Sequence, residues 1–175
     1  MRTSAMLLTA SALLATAALA QEPGVEIGAA FGVTLTIPEG GDAEMFAGVP
    51  GAGTLLGLPS LYATFFPSPS YMVEPQLAFE YNSLTEGAVI SPMLQLGYLF
   101  TPGAKASGYA AVNGGGFFRT ESGASNSGSI GAGFGYRVRV SSGAAFRMEA
   151  LYRRWLGESY KLSDVVLRFA FGAVF

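Results

Sequence analysis

The chain has 175 residues, of which 50% are hydrophobic and only 13% are charged, and its formal net charge is −2. Ordinary globular domains carry about 25% charged residues, so this chain has too few charges to cover a soluble surface generously, and without a basic excess it is not a nucleic-acid-binding protein. It contains no cysteine and no histidine, which excludes disulfides, an acylated-cysteine anchor and histidine-dependent catalysis.

The first twenty residues have the pattern of a secretory signal peptide. Arg2 gives a basic start, an apolar run of about fifteen residues follows, and the small residues Ala18 and Ala20 precede Gln21. The run is short for a membrane-spanning helix, which makes an uncleaved anchor the less favoured alternative. We predict a signal peptide over residues 1–20, cleaved before Gln21, and a mature β-domain over residues 21–175.

The mature chain alternates between apolar and polar residues in about eight segments, separated by clusters of Gly, Pro, Ser, Asn and Thr. Alternation with a period of two is typical of β-strands, and helical periodicity is absent. The sequence therefore predicts an all-β chain. In chain order, the predicted strands are GVEIGAAFGVT, LPSLYATFF, YMVEPQLAFEYN, AVISPMLQLGYLF, GYAAVNGGGFFRT, GSIGAGFGYRVRV, AAFRMEALYRRW and DVVLRFAFGAVF.

The connections between these segments alternate in length. The first is the longest, from Leu35 to Gly57, and the second and sixth are the short PSPS and SSG. With the N-terminus on the periplasmic side, the longest connection and most of the loop acids would face outward, as in outer-membrane barrels. Pro75 and Pro92 cannot donate to a neighbouring strand, so we expect a bulge near a strand end to absorb each of them.

The charged residues keep to one face of each predicted strand, and the exception is Arg154, at a strand end near Trp155. Glu26 shares its face with glycine and alanine, and Arg137 and Arg139 share theirs with Gly131, Gly133 and Gly135, while the opposite faces carry mostly Val, Leu, Phe and Tyr. The two faces of the sheet are therefore chemically distinct. The predicted charged set is Glu26, Glu74, Glu80, Arg137, Arg139, Arg147, Glu149, Arg153 and Arg168, with Arg119 as a further candidate.

The apolar face must point outward, because the interior of an eight-stranded barrel holds only its own side chains. An apolar exterior on a closed barrel requires lipid. We therefore predict an eight-stranded antiparallel up-and-down transmembrane β-barrel, whose lumen is plugged by Arg and Glu pairs and whose inward glycines leave room for arginine. Aromatic residues near the segment ends, among them Tyr109 and Trp155, are predicted to form two interfacial girdles.

The leader, the amphipathic segments and the final stretch VLRFAFGAVF together resemble small Gram-negative outer-membrane β-barrel proteins of the OmpA/OmpX type. The resemblance implies an outer-membrane location and outer-membrane lipid as a partner. It also implies that the outer-membrane assembly machinery recognises the aromatic pattern of the closing strand. That pattern comprises Phe169, Phe171 and Phe175.

The predicted function is a monomeric outer-membrane barrel with a structural or surface-interaction role through its external loops, whose ligand the sequence does not identify. The first alternative is a narrow porin-like channel. The second is a soluble, exported lipocalin-like barrel, which would need the opposite arrangement of faces.

No catalytic, metal or cofactor site is predicted. Glu74 and Glu80 would lie about 20 Å apart along one strand, too far for a paired-carboxylate site. The glycine-rich stretches NGGG and GAGFG precede neither a GK[ST] triplet nor a helix. The acids Glu39, Asp42 and Glu44 are more consistent with a solvated loop than with a divalent-cation site.

Overall fold

The computed structural model describes residues 24–48, 60–82, 87–120, 126–157 and 162–175. These ranges contain no helix long and apolar enough to span a membrane. The predicted signal peptide, with Ala18, Ala20 and Gln21, lies outside the described residues. The strands are β1 (Val25–Pro38), β2 (Glu44–Gly48), β3 (Ser60–Ser68), β4 (Tyr71–Asn82), β5 (Gly87–Leu99), β6 (Ala106–Arg119), β7 (Ser127–Ser141), β8 (Ala144–Trp155) and β9 (Leu162–Val174).

The strands form a closed antiparallel barrel. From β3 to β9 each strand pairs with the next along the chain, and β9 pairs back with β1 from Glu26 opposite Val174 to Pro38 opposite Leu162. The other edge of β1 is shared, because β3 pairs with its first half and β2 with its second half. β2 and β3 together fill one position, so the predicted eight-stranded antiparallel barrel is confirmed.

The strands are tilted strongly against the barrel axis. A path that starts at Val25 and steps from each residue to its partner on the next strand goes once around the barrel. It returns to β1 at Leu35, ten residues further along the chain. An offset of this size in an eight-stranded barrel corresponds to a strand tilt of about 40°. The residues on this path are all apolar and point outward: Val25, Phe65, Val73, Leu96, Val112, Ala132, Tyr152, Val165 and Leu35.

The first connection contains more structure than the sequence predicted. β1 continues four residues beyond the predicted end at Thr34, and Glu44–Gly48 pairs back onto it as β2. Alternation explains the extension, because Thr34 and Thr36 are buried while Leu35 and Ile37 are exposed. The hairpin turns at Gly40, whose φ of 85° is a conformation that glycine adopts without strain.

The two prolines interrupt pairing in mid-strand without bulges of their own. Pro75 opposes Leu94 of β5, and the pairing of β4 with β3 has a gap between Gln76 and Val73. Pro92 lies opposite Leu77, where the pairing of β5 with β6 has a gap between Ile90 and Met93. The predicted bulges near strand ends are wrong, since the one bulge described between β3 and β4 lies between Phe65 and Ser68.

The short connections lie at one end of the barrel, together with Gly24 and Phe175. They link β3 to β4, β5 to β6 and β7 to β8, and we call this the short-turn end. The β1–β2 hairpin lies at the opposite end, the long-loop end, where β4, β6 and β8 end and β5, β7 and β9 begin. The alternating connection lengths in the sequence therefore correspond to the two ends of the barrel.

Candidate functional site: the charged lumen

The inner face of the barrel is polar and almost completely buried. Inward residues alternate with the outward apolar ones, as strand geometry requires. Glu26, Glu74 and Asp164 are 0% exposed and Arg147 is 1% exposed. Charged side chains are almost never buried in this way unless they are paired, and the predicted charged lumen is confirmed by the ion pairs among them.

Arg147 lies at the centre of the larger group of ion pairs. Its Nη1 donates to Glu74 Oε2, and its Nε lies 3.2 Å from Glu26 Oε1, close enough for an ion pair but outside hydrogen-bond geometry. Its guanidinium carbon lies 4.2 Å from the centre of the Tyr62 ring, which adds a cation–π contact. One arginine thus joins strands β1, β3, β4 and β8.

Two further arginines complete this group. Arg137 donates from Nε to Glu26 Oε2 at 2.8 Å. Arg168 donates to Glu149, and its Nη2 lies 3.2 Å from Glu74 Oε1. We call the six residues the central network: Glu26, Glu74, Arg137, Arg147, Glu149 and Arg168. The network contains three carboxylates and three guanidiniums, so its formal charges cancel. Buried charges are tolerated when they are paired in this way.

Neutral side chains donate further hydrogen bonds to the carboxylates of the central network. Tyr62 donates to Glu26 Oε1 at 2.9 Å, and Gln95 donates to Glu149 Oε1 at 2.8 Å. Thr64 donates to Glu74 and Tyr109 donates to Glu149. Each buried carboxylate therefore accepts several bonds, which compensates for its lost hydration.

A second group lies closer to the long-loop end and is centred on Asp164. Its carboxylate accepts from Arg153 Nε at 3.1 Å, Arg153 Nη2 at 2.8 Å, Trp155 Nε1 at 2.6 Å and Thr36 Oγ1 at 3.0 Å. We call Thr36, Arg153, Trp155 and Asp164 the upper cluster. The sequence-based set omitted Asp164, although its even position in the chain, shared with Arg168, placed it on the inward face.

The remaining predicted charges have different surroundings. Arg139 faces inward near the short-turn end, and its buried Nε has no hydrogen-bond partner among the described residues. Arg119 lies near the long-loop end, 5.8 Å from the centre of the Phe117 ring, and its Nε is likewise buried and unpartnered among the described residues. The backbone of Glu80 belongs to β4, but its side chain lies outside the described part of the structure.

Two aromatic residues predicted for the interfacial girdles face the lumen. Tyr109 is 0% exposed and Trp155 is 4% exposed. Both have odd sequence numbers, as do the inward residues Asn113 and Arg153 of the same strands. The direction of these side chains therefore follows the alternation of the strand, and their position near a strand end does not change it. Their polar tips donate to Glu149 and Asp164, respectively.

Three of the inward glycines, Gly28, Gly135 and Gly172, make room for tyrosines, and no arginine side chain is among the atoms nearest to a Cβ added at an inward glycine, so the expectation that arginine would occupy that space is wrong. A Cβ atom at Gly135 would collide with the Tyr109 ring, and one at Gly172 would lie 2.5 Å from Tyr62 Oη. Replacing either glycine would displace a tyrosine that bonds a network carboxylate.

Comparison with known proteins gives similarity at the level of structure. No protein-family model and no curated protein sequence matches the chain. Neisserial surface protein A is similar with a TM-score of 0.61 at 11% identity, over 87% of this chain and 97% of that one. The outer membrane protein OprG from Pseudomonas aeruginosa is similar with a TM-score of 0.52 at 17% identity, over 88% and 97%. Ail, the attachment invasion locus protein of Yersinia pestis, is similar with a TM-score of 0.52 at 13% identity, over 89% and 100%.

The chain has the fold of the small outer-membrane β-barrels. At these identities the likeness concerns the fold alone.

The aromatic residues of the closing strand lie on the outer face of this barrel. Phe171 and Phe175 are 57% and 74% exposed. Phe169 lies 6.0 Å from Phe31 of β1 between ring centres, and Phe171 lies 4.8 Å from Phe146 of β8. They therefore cover the seam at which β9 closes the barrel.

Among the described residues, no three acidic side chains are placed to hold a metal ion. Every carboxylate of the central network is engaged by arginine, and the chain has no histidine. What the lumen can do chemically is to fix the barrel wall and to limit passage through it.

Proposed function

We propose that the protein is an integral outer-membrane β-barrel with a charge-plugged lumen, and that it acts at the cell surface through the connections of its long-loop end. The observation that carries this proposal is the arrangement of faces on one closed barrel. Arginine and glutamate pairs fill the inside, while large apolar side chains cover the outside.

The exposed apolar surface supports a lipid environment. Leu61, Phe134 and Phe171 are 68%, 69% and 57% exposed, and they lie on different sides of the barrel. Soluble monomers rarely expose apolar patches larger than a few hundred Å². In lipid the same surface is favourable, and a closed barrel leaves no unpaired strand edge to be desolvated. The soluble lipocalin-like alternative requires the reverse arrangement.

The long-loop end supports a surface-interaction role. Its β1–β2 hairpin presents exposed acids, Glu39 and Asp42, beside the exposed apolar residues Ile37 and Met45. One structural neighbour is an attachment invasion locus protein, and we extend that kind of role to this chain as a proposal. We propose no enzymatic activity and no cofactor.

The channel alternative receives less support. The central network crosses the lumen with ion pairs from β1, β4, β7, β8 and β9, and the side chains of Arg147 and Glu74 are at most 1% exposed. A continuous aqueous path would require these pairs to separate, and a buried charge left without its partner is strongly unfavourable.

The two ends of the chain are proposed to direct export and assembly. We propose that residues 1–20 are a signal peptide removed before Gln21, and that the assembly machinery recognises Phe169, Phe171 and Phe175 on β9. Phe175→Gln should then slow the appearance of folded barrel in cells, while the equally aromatic Phe100→Gln should not. Equal assembly rates for the two variants would remove the recognition proposal.

The decisive experiment is to refold residues 21–175 with and without detergent micelles and to run each sample unboiled and boiled on a denaturing gel. We expect a compact species that forms only in detergent and whose mobility changes on boiling. A compact monomer that forms in plain buffer would contradict the membrane proposal and favour a soluble ligand-binding barrel.

A further inference from the structure

A cavity of about 70 Å³ lies in the lumen between the central network and the upper cluster. One water molecule needs roughly 10–15 Å³ of such space, so the cavity has room for several. None of the described residues that line it is acidic. Its polar lining includes Ser60, Gln76, Ser91, Asn113, Arg153 and Arg168.

Asn113 is the feature that indicates a ligand. Its side chain is 7% exposed, and neither its amide nitrogen nor its amide oxygen has a hydrogen-bond partner in the described structure. Leaving such a group buried and unbonded costs about 1 to 3 kcal/mol. A molecule or ion that bonds to the amide inside the cavity removes that cost.

Arg153 offers a second, weakly bonded donor on the same wall. Asp164 accepts from its Nε and Nη2, but within the described structure the one acceptor for Nη1 is Met93 Sδ at 3.7 Å, and a thioether is a weak acceptor. Asn113 and Arg153 both pair with Gly131 on the strand between them. Because glycine has no side chain, the Asn113 amide can lie directly over Gly131, where a Cβ atom would come within 2.7 Å of Asn113 Oδ1.

The charge around the cavity favours an anion over a cation. Two guanidiniums, of Arg153 and Arg168, line it, whereas the carboxylates that pair with them lie outside the lining. Arg119, toward the long-loop end, adds positive charge, and its buried Nε has no hydrogen-bond partner among the described residues. The Arg153 side chain is 13% exposed, so solvent reaches this wall of the lumen.

We propose that this cavity binds one small monovalent anion of the size of chloride or bromide. The anion accepts hydrogen bonds from Asn113 Nδ2 and Arg153 Nη1, and water completes its shell. The site does not depend on the surface-interaction role of the loops, and a failure of either proposal leaves the other intact.

The test is anomalous diffraction from crystals of the detergent-refolded barrel grown in sodium bromide. The expected result is a bromide peak inside the cavity, within hydrogen-bond distance of Asn113 and Arg153. Asn113→Leu removes the amide at nearly the same volume and should abolish the peak. Ser129→Ala, a buried and unpartnered hydroxyl in the described structure that does not line the cavity, should retain it. A cavity that holds only water, or bromide found only on the outer surface, would overturn the proposal.

A solution measurement covers the case in which Asn113→Leu does not fold. Asn113→Asp keeps the shape of the side chain and places a negative charge in the cavity, so bromide should bind at least tenfold more weakly to this variant. Thermal unfolding is followed in sodium bromide and in sodium gluconate of equal ionic strength. Bromide should raise the Tm of the wild type, because a ligand that binds only the folded state stabilises it, and it should leave the Tm of Asn113→Asp unchanged. The same bromide effect in both proteins would contradict the site.

Discussion

Arg168 extends from β9 across the lumen to Glu74 on β4, where its Nη2 lies 3.2 Å from Glu74 Oε1. The same guanidinium donates to Glu149 on β8, and Glu74 also accepts from Arg147. One carboxylate and two arginines therefore connect strands that are not neighbours in the sheet. Backbone pairing joins each strand only to the next, so these side chains are what hold opposite walls of the barrel together.

Glu74→Gln should lower the free energy of unfolding by about 3 to 5 kcal/mol, because it leaves two buried arginines short of a carboxylate at unchanged volume. Urea unfolding in detergent, extrapolated to zero urea, measures the change. The matched control is Glu39→Gln at the barrel rim, where the pair with Arg154 spans 3.7 Å and is largely exposed. There the loss should stay below about 1 kcal/mol. Similar losses at both sites would mean that the central network adds no specific stability.

The direction of each charged side chain could be predicted from alternation, because a period of two fixes which residues share a face. The pairing of particular charges could not. Glu26 meets Arg137 although 111 positions separate them along the chain, and this meeting depends on the ten-residue offset of the closed barrel. β2 was not predicted, because five residues inside a glycine-rich connection are too few to show a clear alternation of apolar and polar side chains.

The free-energy cost of a charged side chain on the outward face should depend on its depth in the bilayer. Leu167 lies near the middle of β9 and is 51% exposed, so Leu167→Arg should cost about 2 to 4 kcal/mol in a bilayer. Phe100 is equally exposed, at 54%, but follows the end of β5 at the short-turn end, where the same change should cost about 0 to 1 kcal/mol. Phe171→Arg, three residues before the end of β9, should fall between them. Unfolding of the three variants in lipid vesicles would show the order, and a larger loss at Phe100 would contradict the placement of the barrel in the bilayer.

Orientation can be tested with single cysteines, since the natural chain has none. Asp42→Cys lies in the exposed hairpin of the long-loop end, and Ser142→Cys lies in the exposed turn between β7 and β8. In intact cells a membrane-impermeant maleimide should label the first position and leave the second unlabelled until the outer membrane is permeabilised. The reverse pattern would invert the assignment of the external end and remove the surface role of the β1–β2 hairpin.

Passage through the lumen should depend on the central network. The wild-type barrel in a planar bilayer should show no stable single-channel current, because Arg147 and its carboxylates fill the cross-section. Arg147→Ala removes the side chain that touches Glu26, Glu74 and Tyr62, and it also leaves those carboxylates to repel one another. Small, noisy openings should therefore appear in this variant. Arg154→Ala changes an arginine at the rim and serves as the control, since it removes the same charge without touching the network. Steady conductance from the wild type, unchanged in Arg147→Ala, would mean that ions pass beside the network. It would favour the channel function over the surface-interaction role.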